Sequence, residues 1–157
     1  MSTRLDIGAG QHSDYEYQID LVKHEKTTHI VDVAVEPLPF PDNFFDEVRV
    51  SQLMEHIPTV LYWKEKGKWC HRYPRIELMR EIHRVLKPEG LAVFSTPVDF
   101  PYWAQDPTHV DVPVPPDFFG YFCGGWESDT LYGINFKFTE VSRSKDGFNS
   151  TVVLKKT

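Results

Sequence analysis

The chain has 157 residues, of which 41% are hydrophobic and 25% charged; this suits one globular domain over residues 1–157 and excludes wholesale disorder. Lys and Arg number 17 against 23 Asp and Glu, a formal charge of -6, which disfavours general binding of nucleic acid, whose phosphates demand positive surface. No apolar run approaches the roughly 18 residues of a membrane span, and the N-terminus has no signal-peptide pattern. Cys70 and Cys123 are too few for a disulfide framework and point to free thiols and a cytoplasmic setting.

Arg4-Leu5-Asp6-Ile7 reads as a short buried strand ending on Gly8-Ala9-Gly10. Tyr17-Gln18-Ile19-Asp20 predicts a second strand, and the β-branched run from Thr28 to Val35 a third. Three prolines between Glu36 and Asn43 forbid a helix or a central strand there. Phe45 to Ser51 predicts a fourth strand, and Gln52 to about Val60 a helix. From Arg75 to Leu86, Ile76, Met79, Ile82 and Leu86 share one face, which predicts a helix stopped by Pro88 and Gly90. Leu91 to Thr96 follows as an apolar strand. Ile134–Val141 and Ser150–Leu154, joined through Lys145-Asp146-Gly147, predict a C-terminal hairpin.

The expected fold is α/β: a Rossmann-like, mostly parallel sheet with a C-terminal antiparallel hairpin. Parallel neighbours ordinarily need a crossover of about a dozen residues or more. The links after the first two strands are too short for a full helix, so helical cover is reduced on one half. Thin cover predicts exposed apolar sheet surface and, to hide it, a homodimer.

A strand ending in Gly-x-Gly allows a ligand to approach the backbone closely. Asp20, ending the next strand, sits where α/β nucleotide sites place an acidic group for ribose hydroxyls. A third glycine of the nicotinamide-type pattern is missing, which disfavours that class. Cys70, His71 and Cys123 lack zinc-ligand spacing, so no metal site is expected.

Four segments occur in order: Leu5-Asp6-Ile7-Gly8-Ala9-Gly10, then Leu38 to Val48, then Ser51-Gln52-Leu53-Met54-Glu55-His56-Ile57, then Glu81 to Gly90. Together they resemble the class I S-adenosylmethionine-dependent methyltransferases of the type 11 group. The resemblance implies that Asp6, Ile7, Gly8, Ala9 and Gly10 line the methionine end of the cofactor and that Asp20 holds the ribose. It places Ala34 and Val35 at adenine, and Ser51 and Gln52 beside the reactive methyl group. Ala34 stands where the family usually has an aspartate. Gln52, His56 and His109 are the catalytic candidates.

Two segments are candidates for choosing the acceptor. Tyr62 to Tyr73 interleaves aromatic and basic residues, a pattern that stacks on and neutralises nucleotide-like compounds. Residues 98–130 carry no Lys or Arg, 5 prolines and 8 aromatics, as a lid over the site would; Trp103, Asp106 and His109 within it are the acceptor contacts. The implied reaction is methyl transfer to a small-molecule or nucleotide/sugar-like acceptor. The alternative is a non-catalytic module that keeps the fold as a subunit or regulator.

Overall fold

The protein is described from a computed structural model that covers residues 2–98, 104–109, 114–115, 117–124 and 132–157. Among the described residues nine strands and one long helix follow in chain order: β1 (Arg4–Ile7), β2 (Tyr17–Asp20), β3 (His29–Ile30), β4 (Phe45–Ser51), β5 (Leu61–Glu65), β6 (Lys68–Arg72), α1 (Pro74–Val85), β7 (Leu86–Pro97), β8 (Phe138–Asp146) and β9 (Asn149–Lys156). Seven strands form one sheet in the order β3-β2-β1-β4-β7-β9-β8. The pairs from β3 to β7 are parallel; β9 runs antiparallel to both β7 and β8. The strand order reverses between β1 and β4, which sets a crevice outside their C-terminal ends.

Alternation decides which face of the sheet is apolar. Leu5, Ile7, Ile19, Val48 and Val50 are all fully buried, and Leu78, Met79, Ile82 and Val85 of α1 join the same core. Asp6 pairs with Gln18 on β2 and with Arg49 on β4, giving the other face a polar row. The link at residues 8–16 closes over that row without a helix. Tyr15 is buried beneath the guanidinium groups of Arg4 and Arg49, which lie 4.5 and 4.1 Å from its ring centre. The Gln18 amide donates to the carbonyls of Ser13 and Tyr15 at 3.3 and 2.8 Å. The Tyr15 hydroxyl donates to Glu47. A polar face closed by a loop needs no amphipathic helix, which is the physical reason so short a parallel crossover survives.

The reduced cover therefore does not bare apolar sheet. Exposed apolar side chains lie beyond β2 and at the sheet edge instead, on Leu21, Val22 and Ile30. β3 spans two residues, shorter than the run from Thr28 to Val35 suggested. The expected helix after β4 is a 3₁₀ turn over Met54–His56. The aromatic-basic stretch is a hairpin, with β5 paired to β6. Its Lys66-Gly67 turn has φ of +47° and +79°, the left-handed pair that two-residue hairpin turns require.

The proline-rich segment is held by charge. Arg84 donates to the carbonyls of Leu38 and Phe40 and to the carboxylates of Glu81 and Asp42 at 2.7–3.0 Å. Glu81 in turn accepts from the Leu38 N–H at 2.9 Å. The Arg84 guanidinium holds the Glu81 carboxyl below the usual glutamate range. Charge-assisted bonds of this kind contribute about 2 kcal/mol when partly buried. A depressed carboxyl stabilises the fold above its unfolded pKa of about 4.5 and loses that contribution as pH falls through its folded value. Arg84→Ala is therefore expected to cost about 2 kcal/mol at neutral pH. Urea unfolding as a function of pH checks this: the gap between parent and variant should narrow as pH falls through the folded value of Glu81, leaving the part carried by the Leu38 and Phe40 carbonyls.

Candidate functional site

At the end of β1 the chain turns through Gly8 at φ +72° and Gly10 at φ +57°. A Cβ on Gly8 would stand 3.1–3.2 Å from the Leu53 side chain, which would have to give by a few tenths of an ångström, on a backbone conformation that side chains rarely adopt. The N–H groups of Gly8 and Ala9 donate to the Ile19 carbonyl at 2.9 and 3.2 Å. The Gly10 N–H donates to Asp20 Oδ2 at 2.9 Å, and the Val22 N–H to Asp20 Oδ1 at 3.0 Å. Each Asp20 oxygen accepts one backbone hydrogen, and a carboxylate has acceptor capacity beyond that.

At the end of β4, Gln52 also takes a left-handed φ, +52°. For a residue with a side chain this is uncommon, and such positions cluster at functional sites. Its N–H donates to the Ser95 carbonyl at 2.9 Å, and its amide nitrogen donates to Asn149 Oδ1 at 3.1 Å. The reversal turns the chain away from the sheet into the 3₁₀ turn that carries Glu55 and His56.

Two cavities meet at this point. One, of about 240 Å³, is a trough lined by Ile7, Gly8, Asp20, Ala34, Gln52 and His56, with apolar walls from Ile19, Val31, Val33, Leu53 and Ile57. The other, of about 670 Å³, is lined by Gln52, Glu55, His56, Pro97, Gln105, Asp106, Pro107, His109, Phe148 and Asn149. Gln52 and His56 border both. Of the residues expected at the cofactor, Ile7, Gly8, Asp20 and Ala34 line the smaller trough. Ala9, Val35 and Ser51 adjoin lining residues in the chain and Gly10 is two positions from Gly8, but none of the four itself lines it. Of the acceptor contacts, Asp106 and His109 line the larger cavity; Trp103 lies outside the described residues.

Asp6 lines neither cavity. Its Oδ2 accepts from Arg49 at 2.6 Å on the polar face of the sheet, and its Oδ1 is buried with no partner. Arg49 carries no motif signal, but it is the register partner of Asp6 across β1 and β4.

On the side of the larger cavity, His56 and His109 lie with ring centres 4.7 Å apart. His56 Nδ1 is 3.1 Å from Thr108 Oγ1 and 3.3 Å from the Thr108 carbonyl. The Thr108 hydroxyl donates its one proton to Asp106 Oδ1 at 2.6 Å. Both groups facing His56 Nδ1 are then acceptors, so Nδ1 carries the proton and Nε2 presents a lone pair. Asp106 also accepts from the Thr108 N–H at 2.8 Å and stands 3.8 Å from His109 Nε2. Its carboxyl is held below the usual range, chiefly by the Thr108 hydroxyl and then by the Thr108 N–H.

Glu55 is fully buried, and neither of its carboxylate oxygens has a hydrogen-bond partner. Burial pushes its carboxyl up to about 7, against the opposing influence of its own backbone N–H, His109 and Arg75. At the start of the helix expected there, sequence suggests a Glu-His pair satisfied by backbone or solvent. Met54 and Ile57, both buried, pull the turn inward and take Glu55 with it.

Comparison with known proteins places this architecture. A family model described as a methyltransferase domain matches residues 13–94, over half the chain; the match begins after the glycine turn. Among curated proteins none matches the sequence. Solved structures do. A SAM-dependent methyltransferase from Archaeoglobus fulgidus superposes with a TM-score of 0.63 at 15% identity, covering 98% of this chain and 85% of that one. The Burkholderia thailandensis 1,6-didemethyltoxoflavin-N1-methyltransferase, solved with 1,6-didemethyltoxoflavin and S-adenosylhomocysteine bound, gives 0.63 at 14% identity, covering 99% and 71%. A Haloferax volcanii complex of the Trm112 methyltransferase activator with a methyltransferase gives 0.60 at 11% identity, covering 99% and 82%. At these identities the likeness is one of fold, and the fold is that of S-adenosylmethionine-dependent methyltransferases. With more than half of its length matched by the family model, the chain belongs to the methyltransferase-domain family.

Proposed function

We propose that the protein transfers a methyl group from S-adenosylmethionine to a small-molecule acceptor. The observation that carries this reading is the pair of cavities that share Gln52 and His56 at the strand-order reversal. A cofactor on one side and an acceptor on the other would meet at that shared wall.

The smaller trough suits the cofactor on three counts. Gly8 leaves the backbone bare where a ligand must approach. Asp20 keeps acceptor capacity for ribose hydroxyls. Val31, Val33 and Ala34 supply an apolar wall for adenine, with Ala34 leaving recognition of its amino group to backbone carbonyls. When bound, S-adenosylmethionine supplies an electrophilic methyl group, and the protein's work is orientation and exclusion of water. Gln52, fixed by Ser95 and Asn149, holds the boundary between the two ligands. His56 and His109 face the acceptor, where imidazoles orient it or ease loss of its proton.

A cavity of about 670 Å³ lies within the range that encloses small molecules. The Burkholderia enzyme, with its small heterocyclic acceptor, is a precedent of scale. The β5–β6 hairpin, with Tyr62 and Trp69 exposed among lysines, offers a stacking surface for an acceptor larger than the cavity. No helix among the described residues is long and apolar enough to cross a membrane. We place the reaction in the cytoplasm, and we propose a homodimer through Leu21, Val22 and Ile30.

Titration calorimetry of the chain with S-adenosylmethionine and with S-adenosylhomocysteine tests the cofactor side. Both are expected to bind at one per chain. Absence of binding by the folded protein would refute methyl transfer and leave the non-catalytic module. Release of S-adenosylhomocysteine in an acceptor screen then tests catalysis.

A further inference from the structure

Glu55, His56 and His109 each offer one ligand-type atom, and these atoms lie within 4.8 Å of one another. We infer that the three side chains form a binding site for one divalent transition-metal cation on the floor of the larger cavity. The inference of binding stands independently of the methyl-transfer reading.

Four observations support it. Two nitrogens on one cation, or a nitrogen and an oxygen, sit about 2.0–2.2 Å from the metal and so no more than about 4.4 Å apart. A small inward movement of the present side chains meets that limit. Second, both Glu55 oxygens are buried without a hydrogen-bond donor. An unpaired buried carboxylate is costly, and a coordinated cation is one of the few partners that relieves it. Third, the Thr108 contacts fix His56 with its proton on Nδ1 and its Nε2 lone pair available, as a ligating imidazole requires. Fourth, Asp106 stands beside His109 and bonds Thr108, the outer carboxylate that commonly orients ligating histidines. Two imidazoles and one carboxylate select a transition cation such as Zn²⁺, Co²⁺, Mn²⁺ or Fe²⁺ over Mg²⁺ or Ca²⁺, which prefer oxygen.

Three protein ligands leave coordination positions open, and Gln105, Phe148 and Asn149 border the space they face. In an enzyme of the class proposed above, the acceptor would then carry an oxygen that binds the cation, a hydroxyl or carboxylate on a small molecule. Composition could not show this site, because its ligands come from two segments more than 50 positions apart.

The test is titration of the metal-stripped chain with Co²⁺, read by its visible d–d absorption, with Zn²⁺ as competitor. One equivalent is expected, displaced by Zn²⁺. His109→Ala and Glu55→Gln are each expected to weaken it at least about a hundredfold, more than loss of an outer-shell partner does. Thr108→Val is expected to weaken it about tenfold by releasing His56, with unchanged thermal unfolding of the metal-free protein. His71→Ala, on the exposed hairpin, is expected to leave it unchanged. Absence of Co²⁺ binding, or binding that survives both His56→Ala and His109→Ala, would overturn the inference. If one of those variants fails to fold, the other together with Thr108→Val decides. Calorimetry with S-adenosylmethionine in excess chelator separates the two readings. Cofactor binding without any Co²⁺ site would sink the metal and spare methyl transfer. Co²⁺ binding without cofactor binding would do the reverse.

Discussion

Replacing Gly8 with valine is expected to abolish binding of S-adenosylmethionine by the full-length chain. Two effects act together. At φ +72° a β-branched residue is strained by about 1–3 kcal/mol. Its Cβ would also crowd the Leu53 side chain at 3.1–3.2 Å, and its two methyl groups add bulk at a residue that lines the trough. Leu53 adjoins Gln52, so relief of the clash displaces the wall that the two cavities share. Gly10→Ala is the informative control. Nothing lies within 4 Å of a Cβ at Gly10, so that variant carries strain without a clash. Calorimetry should show no measurable heat for Gly8→Val and a binding constant weakened by about tenfold or less for Gly10→Ala. Wild-type affinity in a folded Gly8→Val protein would mean that the cofactor lies elsewhere.

Phe45→Ala is expected to be the most destabilising single truncation, at about 3–5 kcal/mol. Phe45 is fully buried at the start of β4. Its ring makes edge contacts with Tyr17, Phe40 and Phe44 at centroid separations of 5.4, 4.9 and 4.9 Å. The alanine leaves a cavity bordered by three rings, and Phe40 loses the anchor that holds the proline-rich segment to the sheet. In a chain of this size the loss corresponds to about 10 °C in Tm, read by calorimetric or circular-dichroism melting. Phe45 lies at the N-terminal end of its strand, opposite the crevice. Affinity for the cofactor, measured well below the variant's Tm, should therefore stay within about twofold of the parent. A Tm change under about 3 °C would show that the aromatic cluster repacks.

The strongly periodic elements were legible before any coordinates. The helix over Arg75–Leu86 is observed at Pro74–Val85, and the strand at Phe45–Ser51 is observed over those residues. The helix carries unbroken apolar periodicity and clear stops; the strand alternates from Val48 to Ser51, after a register shift between Phe45 and Glu47. The segment after β4 was not legible as a turn. Its helical pattern is overridden by Gln52, whose left-handed φ follows from its bond to Ser95 and not from its residue type. The β5–β6 hairpin carries a turn signal in Lys66-Gly67, and the basic residues interleaved with its aromatics mask the strands on either side.

The sequence by itself determined the strands β1, β2 and β4, the glycine turn, the acidic end of β2 and the family. These depend on short-range pattern: periodicity, backbone freedom at glycine and the order of motifs. Tertiary structure alone decided which groups became partners. Asp6 faces Arg49 because strand register sets them side by side. Glu55 is buried because Met54 and Ile57 pull its turn into the core. His56 and His109 meet because β4 and β7 are parallel neighbours, so the segments that follow them leave the sheet side by side. Local residue type fixes what a side chain is able to do; only the three-dimensional path of the chain fixes what it does it to.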